Sequence, residues 1–208
     1  MENKHFDISI IGAGNMAFRL GIALAETGHR IGKIWCRRPS EGEKLAKILS
    51  SYGERTQYFS ELSALRNSEI IIIAVSDNAI PEVAKQLSDT FDIERQRGEV
   101  SVFHTSGATP IDALAPLSDK GIHCGVLYPM MTLSRGKNVN FSEVPLLLEQ
   151  SDQLTMSQME HIAQSLDCQY FFCDSNKRLK MHCAAVFASN FINYTLSLAF
   201  EIAGDKAS

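Results

Sequence analysis

A chain of 208 residues, 45% of them hydrophobic, is long enough for one good-sized domain plus a small appendage, and at this length roughly 70% of the unfolded surface becomes buried. The formal net charge of -4 and pI near 5.9 exclude the basic face that a nucleic-acid binder carries. The cysteines are Cys36, Cys124, Cys168, Cys173 and Cys183; their odd number and the lack of a C-x-x-C pair imply neither a disulfide framework nor a zinc site.

The leading Met1–Asp7 segment is polar, includes acids and does not read as a signal peptide. The β-branched run Ile8-Ser-Ile-Ile11 reads as a buried parallel strand. It runs into Gly12-Ala13-Gly14-Asn15-Met16-Ala17, the pattern G-x-G-x-x-A. Beyond it Met16, Leu20, Ala23 and Leu24 recur at helical period, and Gly28 closes the helix. In a strand–turn–helix of this kind Gly12 permits the turn, Gly14 lets backbone approach a pyrophosphate, and Ala17 lets helix and strand pack closely. Amides and dipole at the helix N-terminus favour the anion, with Asn15 and Met16 in the first turn. The same spacing also serves a plain tight βα turn.

Ile31–Cys36 reads as the second strand and ends in Arg37-Arg38-Pro39-Ser40. About 20 residues past the glycine motif an NAD enzyme usually carries Asp or Glu for the adenosine ribose; here that position is Arg37. A guanidinium grips a 2′-phosphate and stacks on adenine, which points to NADP over NAD. Alternatively, Arg37 and Arg38 are solvated residues after a strand. Ser40-Glu-Gly-Glu43 fits a capping box, with Leu45, Ile48 and Leu49 as the buried stripe of a helix ending at Tyr52-Gly53. Gln57–Phe59 is a weak third strand, and Ser60 caps a short helix through Leu65.

Glu69–Val75 is the clearest buried strand; after it come Ser76-Asp77-Asn78 and a helix with Pro81 in its first turn. Such a strand end faces the cofactor crevice, so Val75, Ser76 and Asp77 are candidates to touch the nicotinamide ribose; Asp77 or Asn78 also suits a helix cap. Val100–Gly107 is a further strand, ending in Thr105-Ser106-Gly107 where substrates bind, before a short helix opened by Ala108-Thr-Pro110. Gly121–Pro129 is a strand reaching Met130-Met-Thr132. Val144–Glu149 and Gln169–Cys173 are the last two, and an amphipathic helix from Ser151 or Asp152 to Leu166 lies between them. Cys168 and Cys173 suit a pair or a metal, and more simply two buried thiols flanking a strand in a cytosolic protein. Strands alternating with helices throughout predict an α/β, doubly wound, Rossmann-like sheet over residues 1–174.

Residues 175–208 predict one long helix running towards Ile202, a helical appendage. Met181–Phe200 carries no formal charge and is long enough to span a bilayer, but His182, Ser189, Asn190, Asn193, Tyr194, Thr195 and Ser197 are costly in lipid. Burial between protein surfaces is the simpler reading, and it predicts a homodimer with Phe187, Phe191 and Leu198 in its interface. At about 100° per residue, His182, Ser189 and Asn193 share one face, with Asn190 on its flank. Such a stripe pairs across a dimer or lines a substrate cleft. His182 is then a catalytic group or a satisfied buried histidine.

Gly12-Ala-Gly-Asn-Met-Ala17, Ile73-Ala-Val-Ser-Asp77, His104-Thr-Ser-Gly-Ala108, Tyr128-Pro-Met-Met-Thr132 and His182-Cys-Ala-Ala-Val-Phe-Ala-Ser-Asn190 together resemble the phosphogluconate dehydrogenase-like reductases. That superfamily includes hydroxyisobutyrate dehydrogenases, ketopantoate reductases, pyrroline-carboxylate reductases and deazaflavin-dependent NADP oxidoreductases. Within it the chain is most similar to bacterial predicted oxidoreductases with a Rossmann-like N-terminal part and a C-terminal domain of unassigned function. The resemblance implies that the glycine turn holds the pyrophosphate and that Ser106-Gly107 orients substrate. It also implies that the long helix, which in hydroxyacid dehydrogenases bears a catalytic lysine and a substrate-binding asparagine, contributes here through Lys180, His182 and Asn190. No lysine occupies the His182 register, a departure from the hydroxyacid dehydrogenase mechanism. Such relatives continue for several more helices, so the expectation is a truncated product or a cleft completed by a partner chain.

The expected function is an NADP-dependent oxidoreductase of the cytoplasm moving hydride between nicotinamide and a small polar carbonyl or imine, with His182 handling the proton and Asn190 and Ser106 holding the substrate oxygen. A non-catalytic NADP(H) sensor or assembly subunit is the alternative, and a structural dimer that has lost the cofactor is a third.

Overall fold

The computed structural model describes residues 4–91, 100–131 and 140–204; Thr132 lies outside them. Eight strands form one sheet in the order β3-β2-β1-β4-β5-β6-β7-β8. They are β1 (Asp7–Ile11), β2 (Arg30–Trp35), β3 (Gln57–Tyr58), β4 (Ile70–Ile73), β5 (Ser101–His104), β6 (His123–Pro129), β7 (Leu146–Gln150) and β8 (Tyr170–Phe172). The helices are α1 (Asn15–Glu26), α2 (Pro39–Leu49), α3 (Ile80–Thr90), α4 (Ala115–Ser118), α5 (Gln153–Ser165) and α6 (Ser175–Ala203). This is the expected doubly wound architecture. One feature departs from a uniform parallel sheet: β7 runs antiparallel to β6, and β8 then pairs parallel with β7.

The all-isoleucine strand β4 explains why both faces are covered. Its side chains alternate, Ile70 and Ile72 entering the core beneath α1, α2 and α5, Ile71 and Ile73 the core beneath α3 and α4. Each is fully buried, worth about 1.5–3 kcal/mol over exposure.

Local signals resolved differently at three helix starts. The capping box expected at Ser40 and Glu43 does not form, because Pro39 occupies the first turn and the helix begins behind Arg38 without a side-chain cap. The helix expected from Ser60 is a 3-10 helix, Leu62–Asn67, begun at Glu61. Neither Asp77 nor Asn78 caps α3; both lie in a 3-10 turn, Asp77–Ala79, that leads into it. By contrast, Asp152 does cap α5, with Thr155 completing a reciprocal box.

At the amino edge of the sheet His29 is buried between β1 and α5. Its Nδ1 accepts from the Phe6 amide at 3.1 Å, so the proton sits on Nε2, which faces Ser165 Oγ at 2.9 Å. Burial, then the neighbouring His161 and His5, push this imidazole down to about 4.

The long helix leaves the sheet. Only Arg178 is buried along Ser175–Val186, and none of Ile192–Ala203 is. Phe187, Phe200 and Ile202 stand 64%, 61% and 86% exposed. By length and composition this helix is able to cross a membrane. A π-helical turn at Phe187–Phe191 interrupts the α period, so the alignment of His182 with Asn193, drawn on an unbroken 3.6-residue repeat, does not hold across it.

Candidate functional site

The carboxyl ends of β1, β2 and β4 open into a cleft of about 850 Å³. Gly12, Gly14, Asn15, Met16, Arg37, Arg38, Val75 and Ser76 line it, together with Trp35, Glu41 and Glu82. Gly12 holds φ at +125°, and a Cβ there would lie 2.2 Å from the Ala74 carbonyl oxygen; its amide donates to the Trp35 carbonyl at 2.7 Å. The turn therefore closes over two neighbouring strands, and only glycine fits it. A Cβ on Gly14 would meet no protein atom within 4 Å. Gly14 opens α1 with no side-chain cap and no acidic residue in the first turn. That leaves helix-terminal amides facing an open cleft, an arrangement that suits a phosphate. Ala17 is fully buried behind this surface. Arg37 and Arg38 are exposed at the β2 end of the cleft. Glu41, which the sequence reading passed over because it follows the strand by several residues, reaches the same wall from the first turn of α2.

Three strands away from β1, about 14 Å at normal strand spacing, β6 carries, next to its last residue, Tyr128. Its hydroxyl meets His182 Nδ1 at 2.8 Å, and the two rings lie edge to face with centroids 5.6 Å apart. Gly107 makes this contact feasible: a Cβ there would fall 2.6 Å from the Tyr128 ring and 2.7 Å from His182 Nδ1. Burial and then the Asp77 carboxylate push the Tyr128 phenol above its usual value, so it is protonated at neutral pH. Asp77, which follows the cleft residue Ser76 in sequence, is thus close enough for its charge to act on Tyr128.

Ser106 is buried, and its Oγ accepts from the amides of Ala108 and Thr109 at 3.1 and 2.9 Å. It shapes the turn that carries Gly107 and retains a hydroxyl proton to donate. Asn190 is exposed in the π-helical turn, about 12 Å along the helix from His182 at 1.5 Å per residue, and Lys180 is exposed as well. The structure brings His182 to the turn containing Ser106 and leaves Asn190 apart from both.

Under His182 lies a polar layer that sequence reasoning missed. Arg178 is fully buried; its Nη1 pairs with Glu149 and its Nη2 donates to the Thr109 carbonyl at 2.6 Å. Ser175 joins through its amide and hydroxyl, both donating to Glu149. Removing one partner of such a pair typically costs about 3–5 kcal/mol. Next to it, His104 is buried on β5, its Nδ1 accepting from the Ser106 amide at 3.2 Å. Burial, then the Arg178 charge, push this imidazole down to about 4.

The two depressed histidines set an acid limit. Each is neutral in the fold down to about pH 4, while an unfolded histidine takes up its proton near pH 6.5. Stability is therefore complete above pH 6.5 and falls as pH drops from there towards 4, His104 alone accounting for about 3 kcal/mol. Urea midpoints measured at intervals from pH 7.5 to 4.5 are expected to decline across this window, with a shallower slope in His104→Gln. A flat profile would refute the neutral assignment.

Comparison with known proteins agrees with this geometry. A Rossmann-like domain model matches residues 1–129, and a model for a domain of unknown function, DUF2520, matches residues 144–207. No curated protein matches the sequence. Among solved structures, a candidate NADP oxidoreductase from Bacteroides fragilis is 29% identical with a TM-score of 0.81, over 95% of this chain and 72% of its own. An imine reductase variant from Myxococcus stipitatus, in complex with NAD+, is 18% identical with a TM-score of 0.69, over 97% of this chain and 67% of its own. A reductive aminase from Aspergillus terreus, in complex with NADPH and ethyl-5-oxohexanoate, is 15% identical with a TM-score of 0.71, over 99% of this chain and 68% of its own. The last two speak for the fold alone. By the extent of these matches the chain belongs to the Rossmann-like domain family, with a segment matching DUF2520 behind it, an organisation consistent with the phosphogluconate dehydrogenase-like reductases that its motifs resemble.

Proposed function

We propose that the protein is an NADP-dependent oxidoreductase acting on a small polar carbonyl or imine. The observation that carries this reading is the open cleft floored by bare backbone at Gly12 and Gly14, with two guanidinium groups at one end. The amides of Gly14, Asn15 and Met16 receive the pyrophosphate, Arg37 and Arg38 the 2′-phosphate, and Val75, Ser76 and Asp77 the nicotinamide ribose. When bound, the cofactor supplies or accepts hydride.

The rest is the work of this chain's own residues. Tyr128 occupies His182 Nδ1 and so directs Nε2 towards the substrate, where it gives or takes the proton. Ser106 donates its hydroxyl proton to the substrate oxygen.

Calorimetric titration tests the cofactor assignment. NADPH is expected to bind more tightly than NADH, and Arg37→Ala to lose that preference by about tenfold to a hundredfold, the worth of a charge-assisted hydrogen bond. Tighter binding of NADH would overturn it, Glu41 then being the natural ribose ligand. Binding of NADPH without reduction of any keto acid or imine in a panel would instead favour a sensor.

The unpartnered apolar helix supports a homodimer through Phe187, Phe191 and Leu198, in a cytoplasm that keeps the five free thiols reduced. A stable pair needs about 800 Å² covered on each partner. Light scattering at micromolar concentration is expected to give twice the chain mass; a clean monomer contradicts the assignment, and mass recovered only with detergent or vesicles points to a membrane.

A further inference from the structure

We propose that Arg178 is a positioning residue: from the foot of α6 its guanidinium fixes the helix so that His182 stays against Tyr128. The proposal rests on the reading of His182 as proton carrier. The attachment of α6 to the sheet is almost wholly polar and lies in its first turns. Asp174 caps it by accepting from the Lys177 amide at 2.7 Å, and Ser175 binds Glu149 while its Oγ accepts from the Ile111 amide at 3.1 Å. Arg178 spans Glu149 and the Thr109 carbonyl. The apolar contribution at this foot is Met181, half-buried against Val126, Tyr128 and Leu147. A methionine contact tolerates sliding and rotation; a forked guanidinium held at two points does not.

Geometry links this anchor to His182. The two residues are four apart on a helix, and so share a face one turn from each other. The second partner, Thr109, belongs to the same turn as Gly107, which abuts both Tyr128 and His182. One buried cation therefore ties together the helix that carries the imidazole and the turn against which it rests. Stability is a weak reason for such a pair, since apolar side chains of similar volume usually serve as well or better. Orientation of a long helix whose remaining apolar face is exposed is a better one.

The test uses the full chain and the double variant Arg178→Met/Glu149→Gln, which removes both charges without leaving one buried and unpaired. Imidazole 15N spectra report the His182 tautomer directly. The wild type is expected to show a single tautomer that becomes mixed on Tyr128→Phe. The double variant is expected to show the same mixture at an unchanged thermal midpoint, with Tyr128→Phe adding nothing further. Turnover should drop about tenfold, as a small misplacement of a reacting group does, with KM for NADPH unmoved. A folded double variant with the wild-type His182 spectrum overturns the proposal. Should that variant fail to fold, Arg178→Lys, which keeps the charge and loses the fork, is expected to mix the tautomers too, and an unmixed spectrum there overturns it equally. Full turnover in His182→Ala would instead refute the proton-carrier reading and leave the spectra to decide the positioning role.

Discussion

Gly12→Ala is expected to lose about 3 kcal/mol of stability and all measurable NADPH binding. The φ of +125° is a conformation that side chains rarely adopt, and a Cβ would sit 2.2 Å from the Ala74 carbonyl oxygen. The backbone strain alone is worth about 1–3 kcal/mol, and relief of the overlap requires β1 and β4 to part where the Ala74 amide donates to the Ile11 carbonyl at 2.8 Å. For a chain of this size that loss lowers the thermal midpoint by about 10 °C. Gly14→Ala is the counterpart. Its added Cβ meets no protein atom, so the midpoint should stay within about 2 °C of wild type. It does intrude on the open space above the turn, and NADPH affinity should fall by about tenfold or more. A scanning calorimeter and a binding titration separate the two. If Gly14→Ala binds as wild type does, the ligand does not approach that backbone and the cleft has another occupant.

These two glycines also mark how far the sequence could be read. A strand, a glycine turn and a helix are local, and their spacing alone located β1, the turn and α1 to within a residue or two. The parallel strands were legible for the same reason, since a strand buried on both faces is a continuous apolar run. The reversal at β7 was not, because Leu146–Leu148 is apolar and buried in either direction. Competition between adjacent local signals explains the missing capping box at Ser40: Pro39 suits a first turn so well that the helix starts ahead of the serine. The site was legible only where it is local. Tyr128 and His182 are 54 residues apart in sequence, and nothing at either position announces the other. Nothing in the sequence around Arg178 sets it apart from the neighbouring Lys177 and Lys180, whereas it is the one fully buried residue of its helix. The π-helical turn left no periodic trace either, yet it decides which side chains can share a face with His182.

His182→Ala is expected to lower turnover by about 10²–10⁴-fold, the usual worth of a positioned acid–base group, while NADPH affinity stays within about twofold of wild type. The separation follows from the layout. The cleft residues belong to β1, β2, β4 and the helix starts behind them, whereas the imidazole hydrogen-bonds to the hydroxyl of Tyr128 on β6, three strands from β1. Loss of the ring therefore removes the proton path and spares the cofactor seat. Tyr128→Phe keeps the imidazole and the edge-to-face packing but frees Nδ1, so that either ring nitrogen can carry the proton. The tautomer with the unsuitable face towards substrate then becomes populated, and a loss of about tenfold is expected. The two substitutions should not add, because both act on one nitrogen pair: the double variant should be no slower than His182→Ala alone. Small amines such as imidazole, supplied in solution, should restore part of the rate to His182→Ala and none to an Arg37→Ala control. Full turnover in His182→Ala with undiminished cofactor binding removes the histidine from the chemistry, and the phenol of Tyr128, held neutral by burial and by Asp77, then becomes the group that must supply the proton.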